Sequence, residues 1–526
     1  MAGRMAPPDS HLADDRGLPA IHAPGPWFQK IVLSFDGGGV RGYWSLLVLQ
    51  HLMREIRRFE IAEDPRTQSS FHPCQRPDFV SHLVGANNVD NPTEYTPYLP
   101  CHYFDYIGGT STGALIAILL SRFRMTVEDC LREYETMAGT IFGYPRVFHQ
   151  MNALVPLKKY PTKHLEKAIK EVIDRRVQVR LEDDREPLFQ TEIDTCRGVV
   201  LATQLDPVNR ANRRFLFRSY TPFSERSRRN AQGGELLSHR NPGEGIRISL
   251  LKVALAGTAA PFYFGHYHTV LSTAQAQSAA GVSTERGTRL FEDANGQAEG
   301  QQRHLAEGKS PYQFEDAGFS RDNNPCNQLY REVVYNHGED STPVLVSIGT
   351  ARPKDDYVGE GVLTTIRRGL HQLGNPEEVH EEMLLRSDQD RVYYRLNDDN
   401  GIEIEMDEWK PKKVGSDTIA KMRTKFDAWL RQDGVGARFE ACARHLVRLR
   451  RGRMTTPRWE RFALGQYFVC LVQNCPKDRD NQWLDREDFE NHLRREHVEE
   501  DYDGDLDAEV QRCQQMWRYR QRAAPS

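Results

Sequence analysis

The chain has 526 residues, enough for one large catalytic domain with appendages or for several ordinary domains. Hydrophobic residues make up 39% and charged residues 27%, so a sizeable core is available and wholesale disorder is excluded. The 70 basic and 74 acidic residues leave a net charge of −4, which argues against a dedicated nucleic-acid binder while leaving local basic patches open.

The cysteines and the hydropathy pattern point to a cellular compartment. Nine scattered cysteines fit a reducing environment better than a disulfide framework. The longest clean apolar run, 114–120, is far shorter than the roughly 20 residues that cross a bilayer. Because a basic start followed by an apolar segment is also missing, we expect no signal peptide. The sequence therefore predicts an intracellular, cytoplasmic protein that could touch a membrane from one side.

Strands and helices alternate along the predicted chain. Residues 1–28 predict a disordered tail, because Pro, Gly and Asp occur there without periodicity. The elements expected after it are a strand at 31–35, a helix at 43–53, a Pro-rich insertion at 64–100, a strand–turn–helix at 102–123, helical or mixed segments at 160–176 and 246–256, a strand at 197–203, an inserted loop at 272–311, a strand at 342–350, an edge strand at 391–397, and an amphipathic helical region at 417–451. Such alternation is typical of an α/β sandwich.

The first glycine-rich turn is compatible with two kinds of bound anion. Gly37 to Gly42 fit G-x-G-x-x-G behind a strand, which suits either a dinucleotide pyrophosphate or the oxyanion of an acyl transfer. A dinucleotide site needs an acid about 20 residues further on, at the end of a second strand. The candidates, Glu60 and Glu63, lie in a charged helical stretch with no strand before it. The turn therefore favours the oxyanion.

The second glycine turn carries a serine. Gly109-Thr-Ser111-Thr-Gly113 is G-x-S-x-G between a strand and an apolar helix, the context of a nucleophile elbow, where the sharp turn needs small neighbours. An activated serine also needs a base. Asp316, in "YQFEDAGFSRDNNP", is a better candidate than any histidine. The histidines considered, none with distinctive flanks, are His149, His164, His266, His268 and His337.

Four ordered motifs carry a resemblance to a known family. Asp-Gly-Gly-Gly-x-Arg-Gly at 36–42, the serine turn, "ALAGTAAPFYF" at 254–264 and Asp-Ala-Gly…Asn-Asn-Pro from 316 closely resemble the patatin-like phospholipases, over about 28–450. The resemblance implies a three-layer α/β/α sandwich at 29–450 and a Ser–Asp dyad without histidine. Two departures are Ala317 in place of a glycine, and one extra residue before Asn-Asn-Pro.

The resemblance also assigns roles to residues. It implies that Ser111 is the nucleophile and Asp316 the general base. The amides of Gly37, Gly38 and Gly39 are expected to form the oxyanion hole, with Arg41 shaping the loop. No cofactor is expected for catalysis.

The implied activity is hydrolysis of ester bonds in phospholipids or related glycerolipids through an acyl-serine intermediate. The alternative is a catalytically silent scaffold that binds lipid or protein partners. The sequence does not distinguish the lipid head group or the acyl position, nor hydrolysis from transacylation.

A second constellation lies near the C-terminus. Cys470-x4-Cys475, sixteen residues, then His492-x4-His497 supply four zinc-type ligands in order. The segment 465–500 resembles a C2H2 zinc finger, although its Cys-to-His gap exceeds the usual twelve. We expect a structural zinc there, followed by a C-terminal tail at 501–526. A helical hairpin with incidental Cys and His is the alternative.

The charge of this C-terminal region indicates which kind of partner it could bind. The helix expected at the histidines is acidic and "EEDYDGD" follows at 499–505, which opposes phosphate contact. A protein-docking or purely structural finger is therefore favoured over DNA binding, and a transcriptional regulator is disfavoured. The Arg-rich stretch 444–461 is interpreted as a solvated helix end or as a contact to anionic lipid headgroups.

Overall fold

The computed structural model describes residues 25–74, 98–144, 159–176, 187–191, 194–205, 212–222, 241, 248–261, 263–264, 266–269, 312–341, 343–351, 375–387, 391–472, 475, 482–483, 486–497 and 505–516. Residues 1–24 of the predicted tail, 75–97 of the first insertion, the whole of 272–311 and His149 lie outside the described residues.

The described chain builds one large mixed sheet. Its strands are β1 (Ile31–Phe35), β2 (Tyr106–Thr110), β3 (Arg197–Leu205), β4 (Arg213–Arg218), β5 (Tyr267–Thr269), β6 (Tyr312–Asp316), β7 (Val344–Ile348) and β8 (Val392–Leu396). They follow the order β5-β6-β3-β2-β1-β7-β8, with β4 also paired to β3. The neighbours β3, β2, β1, β7 and β8 run parallel to one another. Each of β4, β5 and β6 pairs antiparallel with its neighbours.

Helices cover both faces of this sheet. They are α1 (Gly42–Glu63), α2 (Thr112–Ala117), α3 (Val127–Phe142), α4 (Thr162–Arg176), α5 (Leu250–Gly257), α6 (Cys326–His337), α7 (Pro376–Arg386), α8 (Ser416–Leu430), α9 (Val435–Arg453) and α10 (Pro457–Leu464). Because side chains alternate along a strand, Leu33 of β1 packs with the larger cluster that includes α1, α8 and α9, while its neighbour Val32 packs with α6 and α7. The predicted three-layer α/β/α sandwich is confirmed.

The local predictions agree with most elements. The strands expected at 31–35, 197–203, 342–350 and 391–397 are β1, β3, β7 and the edge strand β8. The helical region expected at 417–451 is instead two helices, α8 and α9. The chain turns between them at Gly434, whose φ of +79° is left-handed and suits a residue without a side chain.

Two strands meet end to end along one edge of β3. Thr110, the last residue of β2, pairs with Leu201, and Asp316, the last residue of β6, pairs with the next residue, Ala202. Since β4 pairs with both Leu201 and Ala202, it occupies the opposite edge of β3. The ends of β2 and β6 are therefore neighbours, although more than 200 residues separate them in the chain.

The main domain, built around the large sheet, extends past the predicted boundary at residue 450. The side chains of Trp459 and Phe462 on α10 are buried in the main cluster, and the Ala463 carbonyl lies 3.0 Å from His102 Nε2. The end of the predicted 1–28 tail is also packed, because Trp27 Nε1 donates a 2.8 Å hydrogen bond to Thr456 Oγ1. Residues 451–464 thus belong to the main domain.

Two arginines of the Arg-rich stretch are core residues. Arg450 and Arg453 have no exposed surface, and they pair with Glu60 at 3.1 Å and Asp105 at 2.8 Å. Neither of the two interpretations of 444–461, a solvated helix end or a headgroup contact, applies to these residues. Asp105 also accepts a 2.8 Å hydrogen bond from the Ile31 amide, so α9 is tied to the starts of β1 and β2.

A small C-terminal module follows α10. It contains β9 (Gln466–Val469), β10 (Gln482–Trp483), α11 (Arg486–Glu496), α12 (Leu506–Cys513) and β11 (Gln514–Met516), with the antiparallel strand order β10-β9-β11. A separate hydrophobic cluster includes Phe468, Phe489, Leu493 and Val510. The predicted tail at 501–526 is thus wrong for 505–516, because α12 and β11 complete this module.

Among the described residues, no helix combines the length and apolar character needed to span a bilayer.

Candidate active site

Ser111 occupies a strained turn between β2 and α2. Its φ of 57° and ψ of −125° lie in a region that residues with side chains rarely adopt. A Cβ on Gly109 would lie 2.0 Å from the Gly113 carbonyl oxygen, and one on Gly113 would lie 2.4 Å from the Phe35 carbonyl oxygen. The two glycines of G-x-S-x-G are therefore required by backbone packing, and the turn presents a half-buried Ser111 at the end of the sheet.

Asp316 meets Ser111 at this end of the sheet. The Ser111 side chain lies beside the Asp316 carboxylate and stabilises its charged form, and Oδ1 of this carboxylate accepts a 2.8 Å hydrogen bond from the Gly318 amide. Asp316 is 2% exposed. Its own amide donates 3.0 Å to the Ala259 carbonyl, which lies in the "ALAGTAAPFYF" segment. Three of the four motifs thus converge at one point.

Burial dominates the electrostatics of Asp316. Loss of water disfavours the charged form and raises the pKa of this carboxyl to about 6, assisted by the neighbouring charge of Glu315. The Ser111 side chain and the hydrogen bond from the Gly318 amide stabilise the carboxylate and oppose that rise. At neutral pH the group is still ionised, and it is a stronger base than an ordinary aspartate.

The glycine turn after β1 lies directly against Ser111. A Cβ on Gly37 would be 3.0 Å from the Ser111 Cβ and 2.5 Å from Asn323 Oδ1. Gly39 has a φ of +59°, and a Cβ there would lie 1.9 Å from the Met406 carbonyl oxygen. No side chain larger than hydrogen fits at either position, so this backbone can approach the serine closely.

The amides of this turn are not equivalent. The Gly37 amide donates 3.1 Å to the Asn323 carbonyl. Within the described part of the chain, the amides of Gly38 and Gly39 donate to no other group. Because an amide has one proton to give, Gly37 is not a suitable oxyanion donor, and the predicted set of three narrows to Gly38 and Gly39.

Buried contacts anchor the glycine turn that follows β1. Asp36 is 1% exposed and accepts bonds of 3.1 and 2.6 Å from the Arg395 guanidinium on β8. Arg41 is 3% exposed, and its amide donates 3.1 Å to the Gly38 carbonyl, closing the turn. Arg41, which was predicted to shape this loop, is therefore a buried residue of it. Arg395 lies in no recognisable motif, so the sequence did not identify it as part of the site.

The loop after Asp316 absorbs the extra residue noted in the sequence. It forms two successive 3-10 turns, Ala317–Phe319 and Arg321–Asn323. Ser320 joins them, accepting from the Asp322 amide at 3.2 Å and donating to the Ala317 carbonyl at 2.8 Å. The longer spacing is thus compatible with the placement of Asp316.

Asp322 and Thr110 fasten this loop, and sequence reasoning missed both. The Thr110 hydroxyl donates 2.6 Å to the Asp322 carbonyl, which links the serine turn to the aspartate loop. The Asp322 carboxylate, in turn, pairs with Arg214 on β4 and accepts 3.1 Å from Gln328. The Asn-Asn-Pro that follows was the available signal for a locked turn here.

Two of the histidines considered as bases are engaged elsewhere. His337 lies 2.8 Å from the hydroxyl of Tyr106, at the opposite end of β2 from Ser111. His266 Nδ1 lies 3.4 Å from Glu315, whose side chain alternates with that of Asp316 along β6. These positions argue against His266 and His337 as the partner of Ser111.

The four predicted metal ligands form a second cluster, in the C-terminal module. The ligand atoms of Cys470, Cys475, His492 and His497 all lie within 4.8 Å of one another. This cluster lies beyond α10, and its residues contribute nothing to the Ser111 site.

Comparison with known proteins gives a family match. Residues 82–330, just under half of the chain, match the family model described as patatin-like phospholipase. The matched region includes Ser111 and Asp316, whereas β1, the glycine turn at 37–42, β7 and β8 lie outside it.

The curated relatives are distant. The chain is 22% identical over 389 residues to calcium-independent phospholipase A2-gamma of Mus musculus, which covers 73% of this chain and 37% of that protein. The protein of the same description from Oryctolagus cuniculus is 23% identical over 391 residues, covering 73% and 36%. The Rattus norvegicus protein is 23% identical over 236 residues, covering 45% and 23%. The chain therefore spans only about a quarter to a third of these relatives.

Proposed function

We propose that this protein is a lipid acyl hydrolase that cleaves ester bonds of phospholipids or related glycerolipids through an acyl-serine intermediate. The observation that carries the proposal is the Ser111 hydroxyl, held on a strained turn beside the buried carboxylate of Asp316. The patatin-like domain and the relatives described as phospholipases support the lipid substrate class.

In the proposed first step, Ser111 Oγ attacks the ester carbonyl and its proton passes to Asp316. The negative charge that develops on the carbonyl oxygen is accepted by the amides of Gly38 and Gly39. Preorganised donors of this kind contribute a few kcal/mol each where water is excluded. The tetrahedral intermediate then collapses, and Asp316 returns the proton to the departing alcohol.

In the second step, water takes the place of the alcohol. Asp316 accepts a proton from the water as it attacks the acyl-serine, and the same oxyanion forms again. Collapse breaks the bond to Ser111 Oγ, which takes the proton back from Asp316 as the fatty acid is released. Each role is filled by a side chain or an amide of this chain, so the proposed reaction draws on no cofactor. An acceptor alcohol in place of water would give transacylation.

A small apolar cavity of about 20 Å³, room for one water molecule rather than an acyl chain, lies beside α2, the helix that follows Ser111, and its walls come from α2, α3, α4 and α5. Its lining is hydrocarbon and thioether only: Leu115, Ile118, Leu119, Phe123, Met137, Ile169, Val172, Ile173, Leu250 and Ala254. Because Ser111 lies at the carboxyl end of β2, we propose that lipid approaches this end of the sheet from a membrane surface.

The predicted protein-docking role of the C-terminal module and the cytoplasmic location stay predictions. Glu487 and Asp488 are exposed in the first turn of α11, which supports the argument against phosphate contact.

The proposal is tested with a fluorophosphonate probe and a lipid panel read by mass spectrometry. Ser111→Ala should abolish both labelling and ester cleavage, and Asp316→Asn should lower turnover about a hundredfold or more, the usual contribution of a general base. The two effects should not add, because the residues act as a unit.

Matched controls are available beside each residue. Ser121→Ala removes a buried serine that bonds the Ala117 carbonyl at 2.6 Å, and Glu315→Gln changes the neighbouring carboxyl on β6. Both should keep most activity. Labelling that survives Ser111→Ala would contradict the assignment of the nucleophile. A wild-type protein that takes no label and cleaves no lipid ester would favour the catalytically silent scaffold instead.

A further inference from the structure

We infer that the C-terminal module binds one Zn²⁺ through Cys470, Cys475, His492 and His497, and that this ion holds the module together. The inference concerns a site separate from Ser111 and does not depend on the proposed hydrolase activity. It rests on how the four side chains are arranged.

Three of the six distances among these ligand atoms match the edges of a zinc tetrahedron. With Zn–S near 2.3 Å and Zn–N near 2.0–2.1 Å, a regular tetrahedron has S···N edges of about 3.5–3.6 Å and an N···N edge of about 3.3–3.4 Å. Here Cys470 Sγ lies 3.4 Å from His497 Nε2, and Cys475 Sγ lies 3.5 Å from His492 Nε2. The two Nε2 atoms are 3.3 Å apart.

Hydrogen bonding among the four groups accounts for this arrangement less well. Each Nε2 approaches two partners, its cysteine and the other histidine. An imidazole nitrogen has either one proton or one lone pair in the ring plane, so it serves one partner well. Four ligand atoms that converge on a common centre are what a tetrahedral cation requires.

The chain places the ligands on different elements. Cys470 directly follows β9, Cys475 lies five residues further on, and His492 and His497 lie in and just after α11. The Trp483 ring of β10 stacks on the His492 imidazole at 4.0 Å between centroids. An ion at this centre would thus join the β9–β10 hairpin to α11, with Trp483 setting the ring orientation.

Among its described residues, the module has a small hydrophobic cluster, with Phe489 stacked on Phe468 at 5.2 Å. Units of this size rarely bury enough apolar surface to fold unaided. Metal binding would supply folding free energy directly.

The test uses the full chain and Zn²⁺ itself. Wild type, purified without chelator and dialysed against Zn²⁺, should hold about one zinc per chain by elemental mass spectrometry. Cys475→Ser and His492→Asn should each lower that content at least about tenfold. Cys513→Ala is the matched control, because Cys513 is buried in the same cluster but is not one of the four ligands.

Cobalt substitution keeps the test decisive where a variant fails to fold. Wild type refilled with Co²⁺ should show the visible bands of a tetrahedral site and the charge-transfer absorption of bound thiolates. A wild type that holds no zinc after dialysis would overturn the inference, as would Cys475→Ser and His492→Asn variants that retain a full equivalent. Loss of zinc from Cys513→Ala as complete as from the ligand variants would also overturn it.

Discussion

Two opposing effects act on the pKa of the Asp316 carboxyl group. Burial raises its pKa to about 6, and the Ser111 side chain and the hydrogen bond from the Gly318 amide favour the charged form. For a general base, the carboxylate is the working form. In the proposed role of general base, the raised pKa makes Asp316 a better proton acceptor, at the expense of activity in mild acid.

The pH profile should report this group. Since protonated Asp316 cannot accept the serine proton, kcat/KM for a soluble ester should rise with pH through a midpoint of about 6 and then level off. Glu315→Gln removes a negative charge that raises the pKa of Asp316, so its midpoint should move to lower pH. A profile that stays flat down to pH about 4, with circular dichroism showing an intact fold, would contradict the assignment.

Substitution of Gly38 tests whether the turn after β1 stabilises the proposed oxyanion. A Cβ there would lie 2.5 Å from Thr350 Oγ1 and 2.7 Å from Thr350 Cγ2, although the φ of 178° itself allows any residue. Gly38→Ala should therefore displace the turn amides and lower kcat about a hundredfold, with KM little changed, because the amides act on transition-state charge.

A second glycine provides the control for this variant. A Cβ on Gly436 in α9 would meet no atom within 4 Å, so Gly436→Ala should leave steady-state kinetics unchanged. Unchanged turnover in Gly38→Ala would mean that this turn does not stabilise the oxyanion.

At the scale of elements, α10 marks the end of the main domain. Its Trp459 and Phe462 are buried in the main cluster, and its Ala463 carbonyl contacts His102 just before β2. β9 begins a different cluster directly afterwards. The natural cut is therefore between α10 and β9.

Two truncations test this boundary. A chain ended after Arg453 loses α10, and the loss of two buried aromatic side chains, each worth about 1.5–3 kcal/mol, is large against a net stability of about 5–15 kcal/mol. It should unfold at clearly lower temperature by circular dichroism. A chain ended after Gly465 keeps α10 and should still cleave a soluble ester. Equal stability of the two truncations would show that α10 is not part of the domain.

At the scale of the whole molecule, the site depends on the edge of one strand. The ends of β2 and β6 face consecutive residues of β3, which brings Ser111 beside Asp316. The turn after β1 then reaches both through the bond from the Gly37 amide to the Asn323 carbonyl. The C-terminal module adds a second cluster with its own ligands and core.

Local chemistry was readable in the sequence. The small residues of G-x-S-x-G and of the glycine turn are required by backbone contacts within or beside each turn, so they located Ser111 and the loop of Gly38 and Gly39. The spacing of Cys470, Cys475, His492 and His497 likewise identified a set of side chains that come together. Strand and helix periodicity was enough to predict the layered α/β architecture.

Long-range pairing decided the rest, because no periodicity or local motif encodes it. Arg395 reaches Asp36 across 359 residues, and Arg453 reaches Asp105 across 348, so a charged side chain that looked exposed in the sequence is buried. The partner of the Gly37 amide was also set by tertiary packing, and so was the joining of α12 and β11 to the C-terminal module. The sequence by itself determined which groups could do chemistry, whereas the tertiary structure decided which of them remain free to do it.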